Sequence, residues 1–467
     1  MPSISRFRAG RASVGVSLLA TAGLVVIGLV GAAPASAAPG PTAHRITVHP
    51  EIFQAGAKAP NATFGCQSRP MDGSQGPRCY QAAQIQNAYN ITPLLNRGIN
   101  GAGRTIVIVD AFGSPTIASD LQTFDATMGL PNPSFTQITP AGSPPPFDVN
   151  DANQFGWSVE TTLDVEWAHV TAPGANIVLA VAPSNNDSDI LNTTKYVVDH
   201  NVGDVISQSF GEAEACMDPT LLNEQHAVFA EAVSKGITLF ASSGDSGASQ
   251  PSCDGTGALF AASTPASDPN VTAVGGTTLT ADPSTGSYQS ETAWTEPFGC
   301  NPPAVAPSDV NCSGGGFSSV YARPGYQSAL QKNRARGVPD VAYNAGVSGG
   351  VLIFSATINV AFGLPANSPT FFIIGGTSAG SPQWAGLAAD ADQLGGHRMG
   401  NINPALYSIA QAKKHYAAAL HDITTGNNDV VEIGGGFNAG TRWDPVTGLG
   451  TPIAAALLPL LVARASI

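Results

Sequence analysis

The stretch Phe371-Phe-Ile-Ile-Gly-Gly-Thr-Ser378-Ala-Gly-Ser-Pro382 joins an apolar strand-like run, Phe371 to Ile374, to a helix-like segment, Gln383 to Ala391, through a glycine-rich turn. Glycines at a strand end allow close backbone approach. A serine at a helix start lies among free N–H groups and near the positive end of the helix dipole. So placed, Ser378 can serve as a nucleophile whose own N–H faces a tetrahedral oxyanion. An N-cap role for Thr377 or Ser378 fits the same letters, and the motif alone leaves both open.

Similar apolar runs recur upstream, at Thr105 to Val109, Asn176 to Val181, Val205 to Phe210, Ile237 to Ser242 and Val271 to Val274, with helical segments between them. Short apolar strands alternating with helices predict an α/β fold with a mainly parallel central sheet and helices on both faces. Ligands of such sheets gather beyond the carboxyl ends of the strands. Composition agrees with a compact, loop-rich fold: among 467 residues there are 52 Gly and 36 Pro, 43% are hydrophobic and only 11% are charged. The formal net charge of -13 argues against binding nucleic acid or an anionic membrane surface.

A serine hydroxyl needs a base, usually His backed by a carboxylate. None of the eight histidines is followed by Gly, as a His-Gly-Thr base motif requires. His169, with Asp110 at the end of the first long strand, is the one combination that supports a His-based site. Trp157 to Val170 offers another base. Val159, Leu163, Trp167 and Val170 recur at helical spacing as a buried stripe, and Glu160 and Asp164 lie one turn apart on an adjacent face, where two carboxylates can share a proton. Glu166 points away from them. A solvated acidic face is the plain alternative. A third carboxylate, Asp245, stands in Ser242-Ser-Gly-Asp-Ser-Gly247 after a strand, where glycines suit a tight turn; an Asx-turn capping its own backbone is its ordinary role.

Taken together, these segments resemble the sedolisin family of serine-carboxyl peptidases, whose fold is subtilisin-like. The matching motifs are Gly-Thr-Ser-x-x-x-Pro at Gly376 to Pro382, Glu-x-x-x-Asp at Glu160 and Asp164 followed by Ala172-Pro-Gly-Ala175, and Ser-Gly-Asp-Ser-Gly around Asp245. The likeness runs in family order from about Cys79 to Pro452. It implies a secreted, acid-acting peptidase working through an acyl-enzyme: Ser378 as nucleophile, Glu160 as base, Asp164 orienting it and protonated Asp245 donating to the oxyanion, with an optimum on the order of pH 3 to 5. It also implies one structural Ca2+ near the C-terminus, held by the Asp422 and Asp444 side chains and the carbonyls of Ile423, Gly440 and Arg442. Loops of Asp, Gly and free carbonyls supply the all-oxygen shell calcium prefers, although Arg442 stands where the family often has Gly. The alternatives are a non-catalytic secreted binding protein on a peptidase fold and a neutral subtilisin-type peptidase using His169.

At the N-terminus, Arg6, Arg8 and Arg11 precede an apolar run from Val14 to Val30 and an Ala35-Ser-Ala37 site, which predicts a signal peptide over residues 1–37 and extracellular release without membrane insertion. Residues 38–79 are polar and rich in Pro and Gly, an arm or short propeptide remnant with no sustained period. The peptidase domain is expected over 80–467. Six cysteines permit complete pairing in an oxidising compartment; close spacing suggests Cys66 with Cys79 and Cys300 with Cys312, leaving Cys216 with Cys253. The expected partners are peptide or protein substrates, and the expected active form is a monomer.

Overall fold

In the computed structural model, the strand Thr105–Ala111 forms the middle of an eight-stranded sheet, between Asn176–Ala182 and Val205–Gln208. Residues 44–48, 50–58, 63–295, 311–430 and 434–465 are described. Pairing extends outward to Phe135–Ile138 on one side and through Thr238–Ser242 to Thr272–Ala281 on the other, where Val341–Asn344 also docks; these contacts are all parallel. Tyr288–Ala293 adds an antiparallel edge. Parallel strands need helical crossovers, and the expected helices cover both faces. Ile106 and Ile108 pack in one apolar cluster with Leu163, Trp167 and Trp384, from the helices Ala152–Thr171 and Gly380–Gly395. Val107 and Val109 face the opposite cluster with Val197 and Phe229, from Asp187–Asp199 and Pro219–Ser234. Both faces of the strand are therefore buried, as its unbroken apolar run requires.

The Ala152–Thr171 helix carries two of the expected site residues. Asp151 starts it by accepting bonds from the backbone N–H groups of Asn153 at 2.9 Å and Gln154 at 3.2 Å. Pro173 stops it, because the residue before a proline is driven out of helical geometry. Periodicity predicts one buried stripe, but every residue from Gly156 to Thr171 is buried. The reason is location: the sheet lies on one side and the Gly380–Gly395 helix on another, so close that a Cβ on Gly386 would come within 2.6 Å of the Thr171 side chain.

Two local expectations change. Phe371–Ile374 is a strand, but it belongs to a separate four-stranded sheet, in the order Ile52–Gly56, Phe371–Ile374, Gly350–Ile353, Cys79–Tyr80. A run of four apolar residues has no period that reveals which sheet it joins. The arm, read as irregular, contributes Ile52–Gly56 to that sheet, antiparallel with Ile52 opposite Ile374 and Phe53 opposite Ile373. Its side chains are half-exposed and its alternation is faint, so the strand is specified by its partner. Ala43–Ile467 form one compact unit. The Cys66–Cys79 and Cys216–Cys253 bridges are present; the expected Cys300 partner of Cys312 and the signal segment 1–37 lie outside the described residues. Among the described residues no helix is long and apolar enough to cross a membrane.

Candidate active site

Ser378 occupies a short 3-10 turn, Thr377–Ala379, that runs into the Gly380–Gly395 helix. Neither turn nor helix has a side-chain cap, and the residue preceding the helix is Ala379, which removes the N-cap role for Thr377 and Ser378. Gly376 makes the approach possible. Its φ of +108° suits only glycine, and a Cβ there would meet Asp245 Oδ2 at 2.7 Å. The Ser378 hydroxyl donates to the Ser209 carbonyl at 3.3 Å, while Ser209 Oγ donates to the Ser378 carbonyl at 3.3 Å. These paired contacts tie the nucleophile turn to the loop that follows Val205–Gln208.

Asp245 does not cap its own turn. Its Oδ1 accepts from the Thr377 N–H at 2.8 Å and from the Thr377 hydroxyl at 2.6 Å, contacts that span the cleft to the residue preceding Ser378. Thr377 Oγ1 accepts in turn from the Gly244 N–H at 3.2 Å. Burial pushes the Asp245 carboxyl above the ordinary aspartate range; the Thr377 bonds pull the other way and the charge of Glu51 adds to the rise. The protonated form is thus favoured beyond the usual pH.

Glu160 and Asp164 are 3% and 0% exposed, which excludes a solvated acidic face. Both carboxyls are raised well above normal, first by desolvation and then by neighbouring carboxylates: Asp110 and Asp245 for Glu160, Asp110 and Glu160 for Asp164. Hydroxyls oppose the rise, Ser378 at Glu160 and Ser209 at Asp164. Asp110 is likewise raised, to about 7, by burial. Among the described residues no cation is included in the groups acting on these acids, so burial and mutual repulsion push all three carboxyls toward their protonated forms.

His169 is elsewhere. It lies nine positions after Glu160, half a revolution further round the helix, and its Nε2 faces the Pro131 carbonyl at 2.7 Å and Asp125 at 3.3 Å. Asp110, assigned to it as a partner, belongs with Glu160 and Asp164 instead. Its sequence signal was an acid at the carboxyl end of an apolar strand. Glu166 turns away as expected and accepts from the Phe354 N–H at 3.1 Å. Ser209 gave no signal in the sequence; only the three-dimensional juxtaposition picks it out.

The cleft, about 220 Å³, is lined by Glu160, Ser209, Asp245 and Ser378. Thr47, Val48, Pro50 and Glu51 of the arm also line it. Val48 packs so closely on the Ala152–Thr171 helix that a Cβ on Gly156 would lie 2.7 Å from its carbonyl oxygen.

Near the C-terminus, the Asp422 carboxylate accepts from the Arg442 N–H at 2.8 Å and from Tyr416 Oη at 2.9 Å. Asp444 Oδ2 accepts from the Gly440 N–H at 3.0 Å, and its Oδ1 from the N–H groups of Val446 and Thr447. Thr447 Oγ1 donates to the Ile423 carbonyl at 3.5 Å. The two acids therefore organise one loop from opposite ends and bring together the residues expected to bind calcium. The proposed donors are all oxygens, the donor chemistry a hard cation takes. Arg442 has φ +66°, the left-handed region in which glycine is easier.

A serine turn gathered with buried acids, and with no histidine among the residues lining the cleft, fits a subtilase of carboxyl type. The subtilase family model matches residues 159–397. Kumamolisin of Bacillus sp. (strain MN-32) is 33% identical over 407 residues, covering 84% of this chain and 65% of its own length. Sedolisin of Pseudomonas sp. (strain 101) is 30% identical over 403 residues, covering 79% of this chain and 64% of its own. A solved Pseudomonas sedolisin (serine-carboxyl proteinase), complexed with two molecules of pseudo-iodotyrostatin, superposes with a TM-score of 0.70 at 28% identity, over 83% of this chain and 99% of that one. The chain belongs to the sedolisin family and has its subtilisin-like fold. It spans about two thirds of the length of these curated relatives, 65% and 64%.

Proposed function

We propose that the protein is a secreted, acid-acting serine-carboxyl peptidase that cleaves peptide bonds through an acyl-enzyme. The observation that carries this reading is the convergence of Ser378, Glu160 and Asp245 on one cleft, with Asp164 and Asp110 buried behind Glu160. Ser378 Oγ adds to the scissile carbonyl as its proton passes to Glu160. The carbonyl oxygen, now an oxyanion, takes hydrogen bonds from the protonated Asp245 carboxyl and from the Ser378 N–H. Glu160 then gives the proton to the departing amine, the C–N bond breaks, and water repeats the sequence to release the acid. Asp164 and Asp110 position Glu160 and share its proton. The position of His169 disfavours a neutral His-based mechanism.

Labelling by a serine-reactive phosphonate separates the candidate functions. Modification of Ser378 at pH 4 to 5, fading toward neutral pH, is the expected result; labelling strongest at neutral pH would favour a histidine base, and no labelling at any pH a binding protein.

Residues 47, 48, 50 and 51 of the arm line the cleft, and in the proposed enzyme the arm is a short propeptide remnant that restricts substrate access until it is moved or cut. The signal segment and extracellular release belong to the same reading.

We further propose that Asp422 and Asp444, with the carbonyls of Ile423, Gly440 and Arg442, hold one structural Ca2+, which would neutralise the two acids and hold the loop. A ligand that binds only the native state stabilises it by RT ln(1 + [L]/Kd), about 2.7 kcal/mol at a hundredfold excess over Kd. Chelation should therefore lower Tm by several degrees, and Asp444→Ala should lower it in calcium buffer while abolishing any response to chelator. A wild-type Tm indifferent to chelation, in protein verified metal-free, would remove the ion.

A further inference from the structure

A second group of acids lies at the far end of the arm. His44 comes from the arm itself, Asp187 opens the Asp187–Asp199 helix and Glu212 belongs to a two-residue strand paired with Ser263–Thr264. His44 Nδ1 and one oxygen from each acid lie within 4.8 Å of one another. His44 Nδ1 abuts Glu212 Oε2 and is 4.0 Å from Asp187 Oδ2. Asp187 is 4% exposed and Glu212 6%. Asp187 Oδ1 and Glu212 Oε1 meet no N–H or hydroxyl donor of another residue among the described residues; the two carboxyls interact with each other and with His44. Arg45, the adjacent cation, bonds instead to Asn186 Oδ1 at 3.2 Å.

Two desolvated carboxyls beside one imidazole are costly as a doubly charged pair, and burial and mutual repulsion favour a proton held between them, a proton that a divalent cation can displace. With the cation bound, two carboxylates balance its charge, and a neutral imidazole nitrogen supplies a third donor. One nitrogen and two oxygens, drawn from separate segments and mostly shielded from water, form a donor set suited to zinc and borderline transition metals; calcium prefers oxygen alone.

We propose that His44, Asp187 and Glu212 form a zinc-class divalent-cation site that pins the arm over the cleft. The neighbouring contacts set the arm in place for it: the Ile46 N–H donates to the Asn185 carbonyl at 3.0 Å, and Asn185 Nδ2 returns a bond to the Ile46 carbonyl at 2.6 Å. The next residues, Thr47 and Val48, already line the cleft. Metal at His44 therefore fixes the chain immediately before it enters the site. The binding site stands independently of the peptidase reading; only its consequence for substrate access rests on that reading.

The test uses the full Ser378→Ala chain, with mass spectrometry to verify that the arm is intact. After metal removal, zinc chloride is titrated calorimetrically and hydrogen exchange is followed across residues 44–56. The expected result is one equivalent of zinc at micromolar affinity or tighter, weakened at least tenfold by Glu212→Gln and by His44→Ala, and left intact by Asp444→Ala. Zinc should slow exchange in the arm at least tenfold, except in the two site variants. His44→Ala lies on the partly exposed arm, so it keeps the test valid if Glu212→Gln does not fold. Absence of zinc uptake, uptake unchanged in His44→Ala, or uptake lost only in Asp444→Ala would overturn the site.

Discussion

Ser378→Ala is expected to abolish turnover, by a factor on the order of 10⁴ or more, while leaving Tm within about a degree of wild type. Removing the nucleophile of a serine peptidase leaves only the rate enhancement due to binding and the oxyanion donors, and losses of this size are characteristic of a group that forms the covalent bond. The fold has little at stake: the hydroxyl makes one long hydrogen bond, 3.3 Å to the Ser209 carbonyl, and caps no helix. The Thr377 contacts that hold the turn to Asp245 remain intact. Steady-state hydrolysis of a denatured protein at acid pH, alongside calorimetry, makes the comparison. Wild-type turnover in the variant would place the nucleophile elsewhere.

The second large effect is pH. The proposed mechanism requires an ionised Glu160 set and a protonated Asp245, so the profile should be bell-shaped with both limbs displaced from ordinary carboxyl values. The directions follow from the structure. Burial raises Glu160 and its neighbours, which moves the acid limb upward because the base must lose its proton; burial raises Asp245, which moves the alkaline limb upward because the donor must keep its proton. Both shifts carry the optimum upward within the acid range inferred from sequence. Asp245→Asn supplies a neutral donor at every pH. Its alkaline limb should move up by at least a pH unit, with kcat reduced about ten- to a thousandfold by the altered geometry. An unchanged alkaline limb in an active Asn variant would mean that another group sets it. A wild-type optimum at neutral or alkaline pH would contradict the carboxyl mechanism altogether.

The motif segments were legible because their chemistry is local. Ser378, Glu160, Asp164 and Asp245 each stood out by residue type at a strand end or helix face, and the structure brings their four segments to one place. Asp110 was visible but paired with the wrong residue: strand ends announce that a side chain reaches the sheet edge, whereas its neighbours there depend on how the helix is rotated. The parallel sheet followed from apolar runs buried on both faces. The four-residue strand before Ser378 carried no such information, and its antiparallel partner lies more than three hundred positions away in the arm. Such long-range pairing leaves almost no trace in either partner when both are short and one is half-exposed.

That pairing constrains how the arm can ever leave. A cut between His44 and Ile52 would release the segment that lines the cleft, but the chain beyond it stays in a hydrogen-bonded ladder against Phe371–Ile374. The newborn amino terminus would then be anchored beside the turn that holds Ser378, a cation throughout the acid range. Such a cut would replace a lining segment with a fixed positive pole at the mouth of the site, and the charge met by an incoming peptide would be set in part by where the arm had been severed.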